Sequence, residues 1–191
     1  MKFTIETGLI PGTIKNKNDM GGFTGIEFLD KIFYITDGVM LTQIRDISGV
    51  DGSTLQNWVK RGWIGTTVNK RYSKDQLARI LIINMLRDAM LLERIDFLLH
   101  YINGRIDDKS DDIILESHLY DYICKIYDTF CERGYDNSQQ LVQVINEVVA
   151  NYDEPIAGGK NRLAKALEII LIAYFASIVS AHANNLYSKL I

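Results

Sequence analysis

The chain has 191 residues, 47 % of them apolar and 24 % charged, which excludes global disorder and fits one compact domain or a small module with a companion. Two prolines leave long helices unbroken, and two cysteines cannot make a disulfide framework. The net charge of −3 excludes a uniformly basic nucleic-acid binder, yet residues 54–79 carry six cations (Lys60, Arg61, Lys70, Arg71, Lys74, Arg79) against Asp75 alone.

Residues 1–24 read as an irregular arm with turns at Gly8-Leu9-Ile10-Pro11-Gly12 and Gly21-Gly22, and a short strand at Lys2–Glu6. Ile26, Leu29, Ile32 and Phe33 at helical spacing predict a helix over 25–35. Leu41–Ile47 is a second short helix, with Leu41, Ile44 and Ile47 inward. Gly49 makes the turn past its end, and Asp51 or Ser53 caps a third helix over about 53–61, which Gly62 ends. Residues 63–72 read as a hairpin. Ser73-Lys74-Asp75-Gln76 is a capping box opening a helix to about Asp88, apolar nearly all round and therefore central. Ile95, Leu98, Leu99 and Ile102 form one stripe.

Asn103-Gly104 reads as a turn and Asp107–Asp112 as a charged linker. Three helices follow, over about 112–132, 138–151 and 161–188. The first carries a stripe of Leu115, Leu119, Tyr122, Ile123, Ile126 and Phe130. Residues 169–188 hold no charge, but His182, Asn184 and Asn185 interrupt them and Glu168 abuts them. A core or dimer helix is expected there rather than a membrane span. The chain start carries no secretory signature, so free thiols and a cytoplasmic location are expected.

Two short helices around a glycine turn, the second basic, describe a helix-turn-helix whose second helix enters the major groove. Ser53, Thr54, Gln56 and Asn57 lie at its N-terminal side, and Gln and Asn pairs suit adenine. Lys60 and Arg61 at its end suit phosphate, as do Lys70 and Arg71 at the hairpin tip. Tyr72 completes the candidate set. Trp58 and Trp63 are expected to anchor the core between helix and hairpin.

The order Gly49-Val50, Thr54-Leu55, Trp58 and Gly62, then Lys70-Arg71-Tyr72-Ser73 and Leu77, Ile80, Ile83, Leu86, resembles a MerR-type winged helix-turn-helix over about residues 41–99. The phrases Leu55-Gln56-Asn57-Trp58-Val59-Lys60-Arg61-Gly62-Trp63 and Arg71-Tyr72-Ser73-Lys74-Asp75-Gln76-Leu77 are similar to domain-of-unknown-function family 1836, an uncharacterised bacterial family. The resemblance implies sequence-specific binding of double-stranded DNA as a dimer. Gln56 stands where MerR proteins usually carry Arg, and Asn57 where they carry an aromatic.

The expected architecture is mainly α: an arm and short helix over 1–36, a MerR-like winged helix-turn-helix over 37–103, and a helical dimerisation or effector domain over 104–191. The expected function is transcriptional regulation by a DNA-binding homodimer. The alternatives are a protein-interaction module on the same fold, and a sensor whose helical half takes a small-molecule effector. Cys124 and Cys131 are two helical turns apart, but His118 is rotated away from them, so no metal is expected. Gly158-Gly159-Lys160 lacks the rest of a phosphate loop, and no catalytic set is visible, so neither a cofactor nor an enzyme is expected. Tyr120, Tyr122, Tyr127 and Tyr174 are read as core, with a ligand pocket as the alternative.

Overall fold

A computed structural model describes residues 7–106, 108–135 and 137–190. The strand expected at Lys2–Glu6 lies outside them. The described elements are α1 (Gly25–Phe33), β1 (Val39–Met40), α2 (Leu41–Ser48), α3 (Gly52–Lys60), β2 (Arg71–Tyr72), α4 (Lys74–Leu86), α5 (Leu92–Asn103), α6 (Glu116–Arg133), α7 (Ser138–Val148) and α8 (Gly159–Ser188). The protein is mainly helical, as its spacing predicts.

Helix α4 organises the rest. Ser73 Oγ accepts the Gln76 N–H, and Gln76 Oε1 accepts the Ser73 N–H, which satisfies two orphan donors of the first turn. Leu77, Ile80, Leu81, Ile82, Ile83, Met85 and Leu86 are all buried, so every side of the helix has a neighbour. α1, α2, α5, α6 and α8 pack around it. One continuous apolar core therefore crosses the expected boundary at 103/104, joining Leu55 and Trp58 at one end to Phe130 and Phe175 at the other.

The arm is stitched onto this core. Tyr120 Oη donates to the Pro11 carbonyl at 2.7 Å, the Ile14 N–H donates to Ile47 O at 3.0 Å, and Ile10 is fully buried. Gly12 holds φ at +73°, and a Cβ there would lie 2.2 Å from the Leu81 carbonyl oxygen. Gly12→Ala is therefore expected to lower stability by about 2 kcal/mol, because the clash is with α4 backbone and cannot relax by a rotamer. Urea unfolding monitored by circular dichroism reads this; an unchanged midpoint would contradict the close approach.

Three expectations change. The hairpin over 63–72 is reduced to a single bridge, Val68↔Arg71, and β2 pairs instead with β1 (Val39↔Tyr72, Met40↔Arg71). Asn103 is not a surface turn residue: it is buried, its Oδ1 accepts the Ile113 and Ile114 N–H groups, and its Nδ2 donates to Ile114 O. It ties the Ile113-Ile114 segment to the end of α5. Leu115 leaves the α6 stripe, being the half-exposed residue just before the helix.

Helix α8 is long and apolar enough to cross a membrane by length and composition. Leu163, Leu167, Ile170, Leu171, Tyr174 and Phe175 bury its first half against α4, α5, α6 and α7. From Val179 to Leu190 every residue is exposed, though Ala181, His182 and Asn185 still face the arm and the end of α4.

Candidate nucleic-acid interface

α2 and α3 are joined by Gly49-Val50-Asp51. Gly49 sits at φ +72° and its N–H returns to Arg45 O, closing α2; the turn needs that left-handed backbone. Val50 is buried beneath the turn. Asp51, not Ser53, caps α3: its carboxylate accepts the Thr54 N–H at 2.9 Å and the hydroxyl of Thr54 at 2.6 Å, and bonds the Ser53 hydroxyl as well. These bonds hold the Asp51 carboxyl well below the ordinary carboxylate range. The Ser53 and Thr54 hydroxyls are thus engaged by an anion at the head of α3.

Leu55 and Trp58 point into the core. Ser53, Gln56, Asn57 and Lys60 follow at i, i+3, i+4 and i+7 and are all exposed, one polar stripe along the outer face. Arg61 leaves that stripe: its guanidinium lies 5.1 Å from the centroid of the Trp63 ring and 3.9 Å from Glu93. Trp58 and Trp63 are buried, as expected of anchors, and Arg87 lies 6.0 Å over the Trp58 ring.

The second candidate segment is the two-residue turn Asn69-Lys70, with φ at +51° and +60°. Both values match a type I′ hairpin turn, a conformation that favours Asn or Gly but is unusual for lysine. Lys70 and Val68 project into solvent there. Arg71 has an internal task instead: its Nη1 donates to Gly38 O at 2.8 Å and lies 3.4 Å from Thr36 Oγ1. Tyr72 is 6 % exposed, so its ring belongs to the core and drops out of the candidate interface.

The basic window is accordingly less available than its sum suggests. Lys74 pairs with Asp30. Arg79 is buried: Nε donates to Trp63 O at 2.6 Å, Nη1 lies 3.3 Å from Glu116, and Nη2 lies 3.7 Å from Asp96. Burial pulls this guanidinium below its ordinary value, and the two carboxylates oppose that pull. Of the six cations, Lys60 and Lys70 are the two without an ion pair, hydrogen bond or ring contact among the described residues. Sequence reasoning missed Arg45, an exposed cation of α2 whose side-chain stem lies over Gly52 at the head of α3. Its signal was a cation on the polar side of the first helix, one turn before the glycine.

Of the remaining candidate groups, Cys124, Tyr120, Tyr127 and Tyr174 fall into the core, while Tyr122 is half-buried and His118 exposed. Cys124 is fully buried and burial pushes its thiol well up, while Cys131 is partly exposed. Tyr120 and Tyr127 are core residues, and the Tyr127 and Tyr174 rings sit 5.2 Å apart.

The family model described as Domain of unknown function (DUF1836) matches residues 27–123, from α1 into α6. The chain belongs to this family. The matched stretch crosses the 103/104 boundary, in keeping with a core shared by both halves, and it takes in α2, α3, the 69–70 turn and α4. No curated protein matches the chain, and no solved structure matches it.

Proposed function

We propose that the protein is a DNA-binding transcriptional regulator of MerR-like type that acts as a homodimer. The observation that carries this reading is the exposed stripe Ser53, Gln56, Asn57, Lys60 on a short helix after a glycine turn. In this reading α3 lies in the major groove with Gln56 and Asn57 toward base edges. Lys60 holds the flanking phosphate, and the Asn69-Lys70 turn acts as a wing on the neighbouring backbone. Arg45 adds a further cation from the helix that crosses the backbone. Binding to random-sequence duplex DNA, followed by fluorescence anisotropy across a salt series, tests this. Inert behaviour at low salt would overturn it and favour a protein partner on the same surface, a reading that the Asp51 carboxylate at the head of α3 also favours.

The homodimer is supported by α8. Ile169, Ile172, Ala176, Val179, Ala183 and Leu186 are exposed and alternate three and four residues apart. That is the spacing of a coiled-coil seam, and no Lys, Arg, Asp or Glu interrupts it. A second copy supplies the same stripe across a two-fold axis. Sedimentation is expected to show a dimer at micromolar concentration, and Val179→Glu/Leu186→Glu a folded monomer with weaker DNA binding. A monomeric wild type would overturn the dimer.

A further inference from the structure

Between the arm, the end of α4 and the middle of α8 lies a cavity of about 480 Å3. That volume falls within the range of small-molecule sites. Met85, Ile178, Ala181 and Leu9 supply apolar wall, and the Tyr174 ring lines it too. Ser177 Oγ, which bonds Met85 O and Tyr174 O, fixes α8 against α4 at the floor.

The polar lining favours a donor-bearing ligand. Asp88 is the one carboxylate among the lining residues, and none of them is Lys or Arg; His182 is the other titratable side chain facing the space besides Tyr174. Asn84 Oδ1 is buried and has no hydrogen-bond partner, so an acceptor awaits a donor there. The Asn84 amide cannot be turned over, because its Nδ2 donates to two carbonyls, Gly12 O and Ser48 O, both at 2.9 Å.

Those two bonds give the cavity a connection. Ser48 immediately precedes Gly49, the turn between α2 and α3. Gly12 belongs to the arm, and Ile14, two residues on, hydrogen-bonds Ile47 O. A single side chain in the cavity wall therefore holds both the arm and the turn that sets α3.

We infer that this cavity is an effector site for a small primary amine on an apolar or aromatic body, its ammonium directed to Asp88 and Asn84, and that occupancy is transmitted to α3 through Asn84. The transmission rests on the DNA reading proposed above; the binding does not.

The test uses the full chain and three probes of one shape: 2-phenylethylamine, 2-phenylethanol and 3-phenylpropanoate. Amide NMR shifts are followed without DNA. The amine is expected to bind about tenfold more tightly than the alcohol, a difference of one charge-assisted contact, and the carboxylate not at all. Shifts should centre on Gly12, Asn84 and Ser177 and extend to Ser48 and Gly49. Asp88→Asn, at an exposed position, should bring the amine to the affinity of the alcohol, and Ala181→Trp, also exposed, should abolish both. Equal binding of all three probes, preference for the carboxylate, shifts centred elsewhere, or no shift at about 10 mM amine would overturn the site. Duplex binding is then measured with and without amine. A change below about twofold would overturn the transmission while leaving the site. A chain that binds the amine but no duplex would overturn the DNA reading and keep the cavity assignment.

Discussion

Arg79→Met is expected to lower folding stability by about 3–5 kcal/mol, because it removes the buried cation between Glu116 and Asp96 and leaves them only weaker or more exposed partners. Glu116 is 3 % exposed and lies 3.3 Å from Arg79; Lys109, at 3.6 Å, is its remaining cation. Trp63 O would lose its donor as well. Glu116→Leu should cost a similar amount by leaving the guanidinium without its nearest anion. The double variant Arg79→Met/Glu116→Leu is expected to recover at least about 2 kcal/mol relative to the sum, since a matched apolar pair removes both desolvation penalties. A double-mutant cycle by urea denaturation measures the coupling. Strict additivity would show that the two groups do not sense one another.

The second expected result concerns DNA. With Arg45, Lys60 and Lys70 as the cations available for phosphate, a homodimer neutralises about six phosphates, and log K against log salt has a slope of about −5. Lys70→Ala should reduce the magnitude by about two, one per protomer. Lys70→Gly should do the same to DNA while raising stability by about 0.5–1 kcal/mol, because φ at +60° suits glycine better than lysine. Opposite signs on folding and binding separate a residue kept for contact from one kept for structure. Arg71→Ala should behave in reverse: it loses the bond to Gly38 O and with it stability, and leaves the slope nearly unchanged. A steep slope that survives Lys70→Gly, or collapses with Arg71→Ala, would overturn this division of labour.

Local spacing made most helices legible. The Ser73–Gln76 box marks the start of α4 to the residue, and the i, i+3, i+4, i+7 stripe of α5 is buried as written. Gly49 and the outward set of α3 were likewise readable, because turn, cap and helix face lie within twelve residues, Gly49 to Lys60. What escaped depends on partners far along the chain. Nothing near Tyr72 says that Val39 pairs with it, so a strand that completes a two-stranded sheet reads as one arm of a hairpin. Arg79 looks like one more cation of a basic patch until Glu116, 37 residues later, and Asp96 are folded around it. Arg71 and Lys70 are neighbours of the same charge, and only the course of the backbone gives one to Gly38 and leaves the other in solvent. Net charge over a window is therefore a poor measure of the charge that a partner meets.

The burial of α4 on every side has a consequence for how such a chain can diversify. In a modular regulator the reading head is a separable part, transferable between sensor domains by recombination at a linker. Here a cut after Asn103 would lay bare the α4 surface that α6 and α8 cover, and would strip Arg79 of Glu116. The segment up to Asn103 cannot be exported without the helices that complete its core. In the DNA reading proposed above, a change of specificity would have to come from substitution on the outer face of α3 and at the 69–70 turn, where Lys60 and Lys70 project into solvent.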